Sequence, residues 1–296
     1  MARTTELIGV AEAGAGPYGI AVGPDGGVWC TLVHSGRIAR LAADGTVERH
    51  DLGAPDCGPS VITAGPDGAL WFTRMRDRRI GRIAVDGTTR SHTLPGEGSG
   101  PYGIAAGPDG ALWFTEPDAD RIGRITVDGE LTAYPLPLTG AFPALITAGP
   151  DGALWCTLNR ADAVARIGVA GDVTVHPLPT AGTAPVGITA GADGALWYVG
   201  IGGGLVGRIT VEGEVTEYPL ADRAARPHAI ACGPDGRLWF TEWAAGRIGV
   251  LAPDGRLDGH PLPGPDAEPH GIAVGPDGTV YAALERGEVA RLTARD

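Results

Sequence analysis

Short apolar runs bounded by turn residues recur along the whole chain. Residues 103–107 read G-I-A-A-G and residues 111–115 read A-L-W-F-T. Runs this short, flanked by Gly, Pro and Asp, predict buried strands; a helix would need a longer segment with apolar positions three or four apart. The P-D-G between the two runs predicts a tight turn, because Pro presets its φ and Gly accepts positive φ. A third run, R-I-G-R-I at 121–125, leads through Asp128-Gly129 into a fourth that ends in Y-P-L-P at 134–137. The unit therefore predicts four strands, A to D, joined by turns.

This unit repeats. A proline stands at 17, 59, 101, 143, 185, 227 and 269, always 42 residues apart, and an aromatic follows each at 29, 71, 113, 155, 197, 239 and 281. Four short strands in a period of about 42 match one blade of a β-propeller. A solenoid of four-stranded units is the alternative, and closure separates the two. Seven periods nearly exhaust the 296 residues, and the last breaks off at Asp296, in register with Asp44. The stretch T-T-E-L-I-G-V at 4–10 falls where T-V-E-R-H-D-L falls at 46–52. The N-terminal segment is thus expected to supply the outer strand of blade seven, closing an all-β, seven-bladed β-propeller with no inner sheet edge exposed. No linker or composition break appears, so residues 1–296 are expected to form one domain.

Composition narrows the function classes. The 49 Gly and 25 Pro fit many turns joining many strands, and the regularly spaced Ile, Leu, Val and Trp argue against disorder. The net charge is −12 and lysine is absent, which makes a nucleic-acid partner an unfavourable expectation. The N-terminal M-A-R-T-T-E-L-I-G-V carries no apolar run long enough for a signal peptide or a membrane span. We expect a cytoplasmic monomer that makes no use of a membrane. Cys30, Cys57, Cys156 and Cys232 form no C-x-x-C pair and read as small buried thiols of a reducing compartment.

The candidate chemistry lies where the repeat departs from itself. In a propeller, the loop entering strand A and the loop leaving strand B meet at one mouth of the central channel. After the repeat proline come Tyr18, Ser60, Tyr102, Ala144, Val186, His228 and His270; before it come Gly16, Gly58, Gly100, Phe142, Ala184, Arg226 and Glu268. Beyond strand B come Val33, Met75, Pro117, Asn159, Ile201, Trp243 and Glu285. Only blade seven has carboxylates at both outer columns. Glu268 and Glu285 could be solvated loop residues, or oxygen ligands for a divalent cation such as Mg²⁺, which takes one or two protein carboxylates and fills its shell with water and substrate oxygen. His228 and His270 could be structural, or could move protons near neutral pH. Tyr18 and Tyr102 could pack or bind a ligand, Trp243 could wall the site, and Glu116 and Glu242 are rival acids, bases or ligands. His34, His50, His92, His176 and His260 read as surface residues, and Glu288 lies beyond the exit of strand B. No G-x-S-x-G, Walker loop or zinc signature is present.

The repeated G-P-D-G-x-L-W-F-T-E with R-I-G-R-I, the Pro227-His228 pair, E-P-H-G-I at 268–272 and A-L-E at 283–285 resemble the virginiamycin B lyase (streptogramin B lyase) family over essentially the whole chain. The resemblance implies a seven-bladed propeller that opens streptogramin B-type cyclic depsipeptide antibiotics by Mg²⁺-dependent elimination at the threonyl ester. It further implies Glu268 and Glu285 as metal ligands, His270 as general base, and His228 and Tyr18 as substrate-binding residues. A propeller metallohydrolase of the lactonase type and a non-catalytic ligand-binding propeller are the alternatives.

Overall fold

The computed structural model describes residues 3–294 except 97, 99 and 265. Positions 1, 2, 295 and 296 of the expected 1–296 domain lie outside the described residues. Seven four-stranded antiparallel sheets follow one another around a ring. Blade one is representative: strand A is Pro17–Val22, B is Val28–Leu32, C is Arg37–Leu41 and D is Val47–Asp51. In blade seven, strands A, B and C are Pro269–Val274, Val280–Leu284 and Glu288–Ala294, and the outer strand is Arg3–Gly9, paired from Arg3↔Ala294 to Gly9↔Glu288. The expected closure is present, with strand D one residue earlier than the repeat alone indicates. Arg3 adds a clasp at this seam. It donates to the carbonyls of Gly278 and Leu292, both at 3.0 Å, and its guanidinium lies 4.4 Å from the Trp239 ring centre in blade six.

The repeated residues explain why each blade holds together. In blades one to six strand B is buried along its whole length, and Trp29, Trp71, Trp113 and Trp155 are fully enclosed. The turn aspartate does more than turn: Asp25 Oδ1 accepts from the Trp29 indole at 3.1 Å, and Oδ2 accepts from Arg40 Nε of strand C at 2.7 Å. Asp67, Asp109, Asp151 and Asp193 make the same two bonds in blades two to five. The strand D histidines are not surface residues. His50, His92, His176 and His260 stack on Trp29, Trp71, Trp155 and Trp239, and Tyr134 and Tyr218 take that place on Trp113 and Trp197. In blades one to six a strand D ring thus covers the strand B tryptophan.

Neighbouring blades are joined at their inner strands by a threonine column. Thr31, Thr73, Thr115 and Thr157 each donate from strand B to a strand A carbonyl of the next blade, those of Ser60, Tyr102, Ala144 and Val186, at 2.6–2.7 Å. All four cysteines are free. Burial pushes the Cys30 and Cys156 thiols up to about 12, so both are unreactive packing residues.

Candidate active site

A backbone irregularity aims the site residues at the channel. In six blades the pairing of strands A and B shifts register between the repeat proline and the residue three positions on: 17/20, 59/62, 143/146, 185/188, 227/230 and 269/272. Bulges of this kind bend a strand and re-aim a side chain. Tyr18, His228 and His270 all occupy the first place in this irregularity. Just before it the chain turns through left-handed backbone: Gly16, Gly58, Phe142, Ala184, Arg226 and Glu268 have φ of 66°, 60°, 54°, 45°, 51° and 37°. Gly16 and Gly58 adopt that conformation without a side-chain penalty. At Glu268 it is imposed on a residue that disfavours it.

Tyr18, His228 and His270 converge from blades one, six and seven. The Tyr18 and His270 ring centres are 4.7 Å apart, and His228 meets His270 edge-on at 5.4 Å. Tyr18 Oη lies 2.7 Å from Tyr102 Oη and 3.3 Å from His228 Nε2. Desolvation raises both phenols, Tyr18 well above its ordinary value, so both stay protonated near neutral pH. Burial, with help from nearby His270, lowers the His228 imidazole to about 4. His228 is therefore a neutral partner around pH 7, with Nε2 at Tyr18 and a buried, unbonded Nδ1.

Glu268 and Glu285 sit across one hairpin end, where the Glu285 N–H donates to the Glu268 carbonyl at 3.3 Å. The Glu285 carboxylate is shared: Oε2 lies 2.9 Å from His270 Nε2 and Oε1 lies 2.8 Å from His34 Nε2. These contacts, His270 first, hold its carboxyl below the usual range despite partial burial. Among the described residues, no cluster of three or more His, Cys, Asp or Glu is gathered for a metal ion. Two hard carboxylates suit a cation that keeps several waters, such as Mg²⁺, while the Nε2 atoms of His34 and His270 are engaged by Glu285. The donor set thus fits the cation that the resemblance implies.

The rival carboxylates are accounted for. Glu116 and Glu242 are buried and paired with the arginines opposite them across the B–C hairpin, Arg121 at 2.6 Å and Arg247 at 2.7 Å. Glu288 pairs with Arg286 at 2.6 Å. Trp243 stands 6.4 Å from His270 under the Arg226 guanidinium. His34, which sequence reasoning placed at the surface, belongs to the site. The glycine at position 16 leaves the space its ring fills.

The rest of the mouth is mostly apolar, with Asp118 and Asn159 as its polar members. Met75, Tyr102, Pro117, Phe142, Val186 and Ile201 from blades two to five line a recess of about 500 Å³ that reaches His228. Beneath it the channel continues as a cavity of about 250 Å³ between the inner strands.

The family model described as the virginiamycin B lyase family matches residues 3–292. The chain belongs to the virginiamycin B lyase family. The selenomethionine-substituted virginiamycin B lyase of Staphylococcus aureus superposes with a TM-score of 0.96 at 42% identity, covering 99% of this chain and 100% of that one. A catalytically inactive histidine-to-alanine variant of the S. aureus enzyme, solved with quinupristin, superposes at 0.95 with 41% identity over 99% and 100% of the two chains. The curated virginiamycin B lyase of Mycobacterium sp. (strain KMS) is 58% identical over 40 residues, which is 14% of this chain and 14% of that protein's length. That stretch is close to one 42-residue period, so the sequence match to this relative spans about a single blade.

Proposed function

We propose that this protein is a lyase that linearises streptogramin B-type cyclic depsipeptides, opening the threonyl ester by elimination and so conferring resistance. The observation that carries this reading is the convergence of His270, His228, Tyr18 and Glu285 at the mouth of a propeller of this family. In support, a structural neighbour sharing 41% of its residues was solved with quinupristin.

The substrate ester joins the threonine side-chain oxygen to the ring's terminal carboxyl. His270 removes the threonine α-proton, the β-carbon–oxygen bond breaks, and the carboxylate leaves with the bonding pair. The product is a linear peptide with a dehydrated threonine and the same mass. The imidazolium formed on His270 has the Glu285 carboxylate beside it, which stabilises the charge. Neutral His228 and the Tyr18 phenol hold the depsipeptide by hydrogen bonds. Glu268 and Glu285 would hold Mg²⁺, whose chemistry is polarisation of the carbonyl next to the acidic C–H.

The test is incubation of the protein with quinupristin, with and without EDTA, followed by mass spectrometry. A linear product of unchanged mass, lost with EDTA and restored by Mg²⁺, is expected. A product heavier by one water would overturn elimination in favour of hydrolysis.

A further inference from the structure

Glu285 is held from both sides, and one of those contacts, to His34, has no part in the chemistry proposed above. His34 comes from blade one, one position past the backbone pair Val33 N–H to Gly16 carbonyl. Its ring lies over Gly16: a Cβ there would stand 2.5 Å from His34 Cδ2. Gly16 occupies the column that carries Glu268 in blade seven, so the repeat has exchanged a side chain for the space this imidazole fills. From that place His34 Nε2 reaches Glu285 Oε1 at 2.8 Å, on the opposite oxygen from His270. Its other nitrogen, Nδ1, is 3.5 Å from the Arg76 guanidinium of blade two. Arg76 repeats the arrangement one blade on, its side chain lying over Gly58 as His34 lies over Gly16.

The tautomer follows from the partners. Arginine can only donate, so Nδ1 of His34 accepts and Nε2 carries the proton it gives to Glu285. We propose that His34 is a positioning residue, oriented by Arg76, that fixes the Glu285 carboxylate for cation binding. The inference rests on the metal-ligand reading of Glu285 given above. Two anchors on two oxygens set the plane of the carboxylate, which His270 alone would leave free to turn about its χ3. Outer partners that orient a ligating side chain are commonly worth 10–100-fold in metal affinity.

The test uses the full chain with His34→Ala, His34→Gln and Arg76→Ala. Mn²⁺ binding is measured by calorimetry and by electron paramagnetic resonance, and Glu285 is located in crystal structures of wild type and His34→Ala. The His34 side chain is 44% exposed, so its removal should leave Tm unchanged. We expect His34→Ala to turn the carboxylate and weaken Mn²⁺ binding about tenfold. His34→Gln, whose amide can still donate, should recover most of that loss, and Arg76→Ala should lose about two- to threefold, since its contact is longer and indirect. An unmoved carboxylate with wild-type Mn²⁺ affinity in His34→Ala overturns the proposal. If wild type itself binds no Mn²⁺, the metal role falls, while a Glu285 that still swings in His34→Ala shows that the functional reading, not the anchoring, has failed.

Discussion

The hydroxyl of Thr241 donates to the main-chain carbonyl of His270 at 2.9 Å. The column that joins blades one to five thus also holds the proposed base by its backbone. Thr241 Oγ1 also accepts from the Ala229 N–H at 2.9 Å, so one side chain bridges blades six and seven. Thr241→Val keeps the shape and strands both backbone groups. Stability should fall by about 1–3 kcal/mol, and kcat should fall with it as His270 loosens. Thr241→Ser should restore both. Thermal melts and steady-state kinetics on the three proteins decide; a valine variant with unaltered Tm and kcat would show the bridge to be idle.

Glu268 pays for its place with strain at φ 37°. Glycine, which occupies that column in three blades, relieves it. Glu268→Gly should therefore melt at or above the wild-type temperature, gaining up to about 1 kcal/mol, while activity and Mn²⁺ binding collapse. Glu268→Ala keeps the strain and should be the less stable of the two inactive variants. Chemical denaturation of both tests this, and a glycine variant markedly less stable than alanine would contradict it.

His270 and His228 should respond differently to amide replacement. His228 is neutral at pH 7, so His228→Asn keeps a neutral hydrogen-bonding group and should raise KM with a loss in kcat of less than about tenfold. His270→Asn removes a proton acceptor that no neighbour replaces, and kcat should fall about 10²–10⁴-fold. Comparing the two asparagine variants at saturating Mg²⁺ reads this directly. If His270→Asn turns over normally while His228→Asn is dead, the roles must be exchanged.

Burial of the stacked His92, His176 and His260 should make the ring acid-sensitive. Desolvation lowers His92, which lies on Trp71 with ring centres 6.0 Å apart. Its unfolded value is about 6.5, so the folded state binds fewer protons. Its contribution is intact above that pH and is lost as pH falls below it towards the depressed folded value. His92→Tyr keeps the stack, as Tyr134 does on Trp113, and should flatten the decline in Tm below pH 6.5. His92→Ala should cost about 1 kcal/mol at pH 7. A tyrosine variant with the wild-type pH slope would assign the acid sensitivity elsewhere.

The propeller was readable because its period is strict: prolines 42 residues apart leave little choice of topology, and the register of residues 4–10 with 46–52 marks the closing strand. The mouth residues were readable from the same columns. Features that depend on side-chain reach were not. His50 and His92 look polar and terminal in sequence, yet each covers a tryptophan several strand positions away. Glu116 and Glu242 look like free carboxylates because their arginines lie across a hairpin. His34 reaches Glu285 across 251 positions of sequence, a contact that no local spacing encodes.

Residues 3–9 and 269–294 build one sheet, and Glu268, His270 and Glu285 are all carried at its mouth. These two segments lie at least 260 positions apart, so the outer strand is made long before the partners it pairs with. Six blades can be finished while the seventh does not yet exist. A chain that stops before residue 268 therefore lacks the proposed carboxylates and base, and on that reading should be inert rather than weakly active. The proposed chemistry and the closure of the ring thus depend on one and the same sheet.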